Sequence, residues 1–374
     1  MPQSDLFASP HAHAPVSIGR SMRLVMLALL PATLLGIGLF GWPAILLFLG
    51  TLIAALLFEA SALVLAGKPV RAGLFDGSAL LTGWLLALTL PPWAPWWIGV
   101  LGAFIAIVIG KQVFGGIGQN LFNPAMVARV ALLVSFPLEM TQWVAPQPLF
   151  SAQTPGLFEA VGLSLAGLAP PWDAMTGASI LGELGTELQR GGDLTAVETG
   201  SFTSVEAMVG TIPGSLGETS ALLLLLGGLF LIRKGVIGWV IPTAVLLGVL
   251  VPASLLHLLD ATRFAAPLVH LTAGATLLTA FFIATDPVTS PVSRAGQAVF
   301  GVGIGLLIYL IRTFGAYPEG AAFAVLLMNA ATPMIDHYLK PRIFGRDRRG
   351  KPLPVPEDAL PADAAGERAS GSRR

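Results

Sequence analysis

From Leu24 to Ala66 the chain carries a single charged side chain, Glu59. An apolar run of about 18 or more residues is what a helix needs to cross a bilayer core of about 30 Å, and comparable runs recur as far as Tyr338. The chain as a whole is 54% apolar and only 11% charged, with a mean hydropathy of +0.77. That balance excludes a soluble globule and predicts an all-α polytopic membrane protein. The first 20 residues are polar, and the run Leu24 to Phe40 has no small-residue cleavage site behind it, so an uncleaved first span is expected.

Ten spans are expected, over Arg23–Phe40, Pro43–Ala66, Leu74–Leu90, Trp96–Ile109, Pro124–Phe136, Thr219–Ile232, Val236–Leu256, Pro267–Thr285, Val299–Thr313 and Gly320–Tyr338. The fourth, fifth and sixth are short for a spanning helix. Cytoplasmic loops collect Lys and Arg. With the N-terminus inside, Arg20, Arg23, Lys68, Arg71, Lys111, Arg233, Lys234, Arg294, Lys340 and Arg342 all fall on the cytoplasmic side, as does the basic tail. The chain then divides into a cytoplasmic N-terminus (1–22), a first transmembrane repeat (23–136), an extracytoplasmic loop (137–218), a second repeat (219–339) and a charged, Pro/Ala-rich cytoplasmic tail (340–374) expected to be disordered. Trp93, Trp96 and Trp97 stand where an outer aromatic belt would lie.

The halves resemble each other. Gly77-Ser-Ala-Leu-Leu-Thr-Gly-Trp-Leu-Leu-Ala87 lines up with Gly274-Ala-Thr-Leu-Leu-Thr-Ala-Phe-Phe-Ile-Ala284 at an offset of 197, and Pro124-Ala-Met-Val-Ala with Pro318-Glu-Gly-Ala-Ala at nearly the same offset. Five spans per half, with the third running outward and the eighth inward, make an inverted repeat. Such repeats place binding sites at the interface of the halves, where helices are broken.

The loop 137–218 holds nine acidic residues against one basic, Arg190, and is longer than a plain connection needs to be. Its apolar residues, among them Trp143, Phe150 and Phe158, favour an ordered loop packed on the membrane domain. At its centre is Asp173-Ala-Met-Thr-Gly-Ala-Ser179. A glycine in a hydroxyl-rich turn exposes the neighbouring Ser and Thr, and Asp173 either caps a turn or positions a metal-bound phosphate donor. The bland alternative is a surface turn with an Asx cap.

Intramembrane ionisable groups are expensive, which singles out Glu59 and Arg129 as an ion path or a mutual pair; a structural ion pair between spans is the competing account. With no cysteine, the chain has no disulfide, thiolate metal site or cysteine-ligated iron–sulfur cluster of its own. No pair of histidines has metal-ligand spacing on one helix face. No P-loop is present, and no basic face outside the tail suggests nucleic acid as a partner.

Several spaced motifs in one order are more specific than any one of them. Gly115-Gly-Ile-Gly-Gln-Asn-Leu-Phe-Asn-Pro-Ala-Met126, Ser135-Phe-Pro-Leu-Glu-Met-Thr-Gln-Trp143, Gly214-Ser-Leu-Gly-Glu-Thr-Ser220 and Thr285-Asp-Pro-Val-Thr-Ser-Pro291 together resemble the D subunits of the Rnf ion-translocating oxidoreductase complexes, over about residues 20–344. A more distant resemblance is to the B subunit of the sodium-translocating NADH:quinone reductase. The resemblance implies that the loop motif is read by a flavin transferase, which joins FMN by a phosphoester to the hydroxyl of the last motif residue. Here that residue is Ser179, where the family usually has Thr; Thr176 is held in reserve. Asp173 would serve recognition, and Gly177 would let the transferase approach the backbone.

The resemblance further implies a non-covalent flavin, riboflavin in the related reductase, between the halves at Asn120, Asn123 and Asp286. Amides and a carboxylate suit the polar edge of an isoalloxazine ring; capping of helix ends by Asn123 and Asp286 is the alternative. The implied activity is electron transfer between ferredoxin and NAD coupled to Na+ or H+ translocation, within a bacterial inner membrane and beside flavin and iron–sulfur subunits. Two rivals remain: a secondary transporter or channel built on the inverted repeat, and a non-redox scaffold whose loop is never modified.

Overall fold

In a bilayer every backbone N–H and C=O must be satisfied within the protein, which leaves helices as the solution for a chain with these apolar runs. The structure, a computed structural model, describes residues 17–151, 154–166, 179–201, 204–315, 317, 319–341 and 351. All regular structure among them is helical. In the first half α1 (Ile18–Leu65), α2 (Val70–Phe75), α3 (Ser78–Thr89), α4 (Trp96–Phe104, continued by a π-helix over Ile105–Gln112) and α5 (Pro124–Ser135) follow one another. Between the halves lie α6 (Pro137–Thr141), α7 (Leu157–Ala166), α8 (Ile180–Arg190), α9 (Leu194–Ser201) and α10 (Ser204–Val209). The second half has α11 (Ala221–Arg233), α12 (Val240–Leu259), α13 (Pro267–Thr272), α14 (Thr276–Leu278, continued by a π-helix over Thr279–Ile283), α15 (Arg294–Phe314) and α16 (Ala321–Tyr338).

Among the described residues, α1, α12 and α15 are long and apolar enough to cross a membrane, and α3, α4 with its π-helix, α5 and α11 are shorter apolar helices. Large apolar side chains such as Leu34, Ile53, Leu57, Val251 and Leu255 face outward. A water-soluble surface does not carry so many, and a lipid-facing one does.

The helix α1 is two arms. Gly41 has φ 72° and ψ −158°, a left-handed break that suits glycine. Gly19 packs against the carbonyls of Phe75 and Asp76, while Leu63 packs against Gly73. A straight helix would hold Gly19 and Leu63 roughly 65 Å apart, so the arms fold back on each other at Gly41.

Two stretches expected to be single spans are broken. The expected span Leu74–Leu90 is α2, a turn at Gly77 (φ 79°) and α3; the expected span Pro267–Thr285 is α13, an extended Ala273, Gly274 (φ 69°) and α14 with its π-helix. Left-handed glycines end the incoming helical turn and let a new helix start in a different direction. Gly77 and Gly274 are 197 residues apart, and so are the first residues of α5 and α16, Pro124 and Ala321. The helical correspondence of Pro124 thus falls on Ala321; Pro318 lies outside the described residues.

Small residues let helices approach where lipid supplies no hydrophobic drive between them. Gly248 of α12 meets Val302 and Gly305 of α15, and Gly227 of α11 meets the Ala28 carbonyl of α1. The bundle has two distinct ends. At one, Lys68 Nζ donates to the Gly115 carbonyl at 2.6 Å, close to the starts of α3 and α5. At the other, the inter-half segment docks: Leu149 N–H donates to Gly38 O (2.8 Å), Gly217 N–H to Leu88 O (2.7 Å) and Leu194 N–H to Thr262 O (2.9 Å).

Candidate functional sites at the two ends of the bundle

At the first end the chain between the π-helix and α5 turns on Gly115, Gly116 and Gly118, all at positive φ, and delivers Asn123 to the start of α5. Asn123 Oδ1 accepts from the N–H groups of Ala125 (3.1 Å) and Met126 (3.3 Å), a helix cap of the kind worth about 1 kcal/mol. Its own N–H donates to Asn329 Oδ1 at 3.0 Å, and Asn329 Nδ2 donates to Thr289 O at 3.2 Å. These bonds tie α5, α16 and the segment after the second π-helix together.

Asp286 accepts from Val288 N–H (3.1 Å) and Thr289 Oγ1 (3.3 Å). Burial raises its carboxyl above the usual carboxylate range, and the two hydrogen bonds act against that shift. Asn120 donates to Phe122 O at 3.1 Å. Capping therefore occurs at Asn123 and turn-bonding at Asp286, and in addition all three residues line one cavity of about 300 Å³.

Val25, Leu81, Leu85, Phe281 and Phe282 are among the cavity's apolar walls; Ser21, Ser78, Thr82, Lys111 and Thr285 add to its polar lining. A flat heteroaromatic ring with one polar edge suits walls of this composition, and the volume lies at the lower end of small-molecule sites, about 300–1,000 Å³.

Glu59 and Arg129 do not pair with each other. Glu59 Oε1 accepts from Lys111 Nζ at 2.7 Å, and Lys111 also donates to Ser78 Oγ at 2.7 Å, all at the cavity end. The guanidinium of Arg129 lies among other neighbours, donating from Nη1 to Met140 Sδ at 3.6 Å. Lys111, expected in a cytoplasmic loop, is 3% exposed: the π-helical turns carry it inside the bundle instead of past its end.

At the second end Ser179 is the N-cap of α8, its Oγ accepting from Gly182 N–H at 3.2 Å. The N-terminus of an eleven-residue helix is a favourable seat for a phosphate, because unpaired N–H groups and the helix dipole point at it. Asp173, Thr176 and Gly177 lie outside the described residues.

Ser179 lines a cavity of about 10 Å³ with Trp143, Glu218, Gly274 and Glu319. This space holds about one water, so a ring joined to Ser179 would lie outside it. Glu218 accepts from Ser215 N–H at 3.3 Å and is 8% exposed. Burial first, and then Glu319, push its carboxyl up to about 7, against the pull of Ser215 and Arg129. Glu319 is held by Arg312 Nη2 (3.0 and 2.8 Å) and by the N–H groups of Ala275 (3.0 Å) and Ala321 (3.1 Å). Arg312 Nη1 donates to His270 O and to Thr276 Oγ1, both at 2.8 Å.

Sequence reasoning missed Lys111, Ser78 and Asn329 at the first end, and Glu218, Glu319 and Arg312 at the second. The available signals were Lys111 directly after an apolar run and Asn329 inside one.

A sequence model of the NQR2, RnfD, RnfE family matches residues 6–345. The chain belongs to this family. Curated relatives named as the D subunit of an ion-translocating oxidoreductase complex agree with it along most of their length. The one from Halorhodospira halophila is 54% identical over 350 residues, covering 94% of this chain and 98% of its own. Those from Stutzerimonas stutzeri (54% identical, 90% of this chain and 95% of its own) and Rhodobacter capsulatus (48%, 81% and 84%) are similar.

Proposed function

We propose that this chain is the D subunit of an ion-translocating oxidoreductase complex and works as a membrane flavoprotein within it. Family membership and agreement with relatives of that name over nearly their whole length support the assignment to the complex. FMN esterified to Ser179 and a second, non-covalent flavin in the 300 Å³ cavity are the redox groups of this reading. The observation that carries it is the convergence of Asn120 and Asn123, neighbours in one turn, with Asp286, distant from them in sequence, on that single apolar-walled cavity.

The bound flavins would supply the electron-transfer chemistry. The chain's own residues bind and orient. Phe281 and Phe282 wall the cavity, Asn120 and Asp286 offer polar groups at its edge, and the first turn of α8 faces the phosphoester position at Ser179. The small space beside Ser179 leaves its ring outside the bundle, where a flavin or iron–sulfur group of a neighbouring subunit can reach it.

The architecture in this proposal is a ten-span inverted repeat in the bacterial inner membrane, both termini cytoplasmic and the Ser179 loop periplasmic. The 197-residue spacing of Gly77 from Gly274 and of α5 from α16 supports the repeat. The complex moves Na+ or H+ as electrons pass, and a flavin transferase matures the loop.

In-gel flavin fluorescence of the denatured chain, co-expressed with a flavin transferase, tests the proposal. Wild type should fluoresce, Thr176→Ala should too, and Ser179→Ala should not. A dark wild type would remove the covalent carrier and favour a transporter or scaffold.

A further inference from the structure

Among the described residues, Lys111 is the one Lys or Arg that lines the 300 Å³ cavity, and it is 3% exposed. An ammonium has three N–H donors. Glu59 Oε1 and Ser78 Oγ take two of them at 2.7 Å each. Glu59 is 2% exposed, and its other oxygen, Oε2, is buried without a hydrogen-bond partner among the described residues.

A pair built only to hold helices together would be expected to use both carboxylate oxygens, since a desolvated oxygen without a donor costs free energy. Here the cation is gripped from one side, by α1 and α3, and borders a cavity on the other. The π-helical winding of Ile105–Gln112 brings it there, and such windings recur at functional sites.

We infer that Lys111 is the charge that favours the reduced form of the redox group in this cavity, with Ser78 fixing its position and Glu59 moderating its charge. The inference rests on the flavin reading of the cavity. One electron from a flavin or iron–sulfur group of a neighbouring subunit, unaccompanied by a proton, adds one negative charge to the ring. An ammonium beside it lowers the energy of that state, and the effect is larger against apolar walls than in water. Glu59 opposes it from behind. If a proton follows the electron, the added charge cancels and the contribution of Lys111 falls to that of a hydrogen bond.

The test is redox potentiometry of the non-covalent flavin in the purified complex, together with the amount of flavin released by acid. In Lys111→Gln the midpoint potential should fall, and in Glu59→Gln it should rise, each by a change on the order of tenfold in the relative affinity for reduced and oxidised flavin. Lys111→Arg should stay near wild type. Opposite signs for the two variants are what a purely structural pair would not produce. Unchanged potentials, or shifts of the same sign, with flavin retained, would overturn the role of Lys111 while leaving the cavity reading intact. If Lys111→Gln does not assemble, Glu59→Gln decides alone, and the absence of an upward shift overturns the inference. Acid-released flavin that is the same in the wild-type complex and in Thr82→Trp, which fills the cavity, would overturn the cavity reading and this inference with it.

Discussion

Two ion pairs among the described residues, one buried and one with a partly buried carboxylate, occupy opposite ends of the bundle and are assembled from matching parts. Lys111 lies in the last turn of the π-helix that continues α4 and reaches Ser78 in the first turn of α3, directly after the left-handed Gly77. Arg312, near the end of α15, reaches Thr276 in the first turn of α14, after the left-handed Gly274. The carboxylates are used differently. Glu319 receives two bonds from Arg312 and two from backbone N–H groups, so both oxygens are committed. Glu59 receives its bond at one oxygen only, and its lysine borders a cavity. A saturated pair closes one broken helix onto its neighbours, and a half-used pair leaves a charge available to a ligand.

Breaking each pair should separate these roles most clearly. Glu319→Gln leaves Arg312 buried without its counter-charge and weakens the cap on two helix starts, which costs about 3–5 kcal/mol in unfolding free energy. Glu59→Gln costs less, about 1–3 kcal/mol, because one carboxylate oxygen of Glu59 takes a single bond, which Gln can still accept, whereas Glu319 loses bonds at both oxygens and two helix caps with them. Chemical unfolding of the two variants in detergent checks the order; equal losses would erase the distinction.

A difference in pH response should sharpen it. The carboxyl of Glu218, beside the saturated pair, titrates higher in the folded chain, about 7, than the ordinary 4.5. The folded state then binds this proton more tightly than the unfolded one, so the Glu218 contribution to stability falls as pH rises from about 4.5 through about 7 and stays low above it. Glu218→Gln should flatten that part of a stability-against-pH curve and raise stability above pH 7. A curve identical to wild type would contradict the burial of Glu218 and, with it, its placement near Glu319.

An effect of the same order as that of Glu59→Gln is expected at Asn329. Replacing it by Ala removes the acceptor for Asn123 N–H and the donor to Thr289 O, which costs about 1–3 kcal/mol. It should lower the amount of flavin released by acid and leave in-gel fluorescence at Ser179 unchanged. Loss of both signals together would mean that the two ends fold as one unit and cannot be perturbed separately.

The cavity end was legible in part because Asn123-Pro124 and Asp286-Pro287 announce themselves: short polar side chains beside a proline mark chain reversals and helix starts in an apolar sequence. Lys111 was not legible. A lysine at the end of an apolar run reads as an anchor in a cytoplasmic loop, and its partner Glu59 is 52 residues away in sequence. The break at Gly274 was hidden for a related reason. Ala273-Gly274-Ala275 is as apolar as the helices around it, and only backbone geometry separates α13 from α14. Glu319 was visible in the repeat comparison, and three of its four hydrogen bonds are local, from Arg312 and Ala321; the bond from Ala275 N–H, 44 residues away at the start of α14, is the one that sequence does not announce.

The proposal that this chain holds two flavins differently is tested most directly by precipitating the purified complex with acid and measuring the flavin attached to this chain's band from the pellet and the part of the supernatant flavin that a cavity-filling variant removes. Wild type should show both fractions. Ser179→Ala should lose the pellet fraction alone, and Thr82→Trp, which fills the cavity, the supernatant fraction alone. A wild type with flavin in neither fraction, or variants that lose both fractions together, would contradict the account.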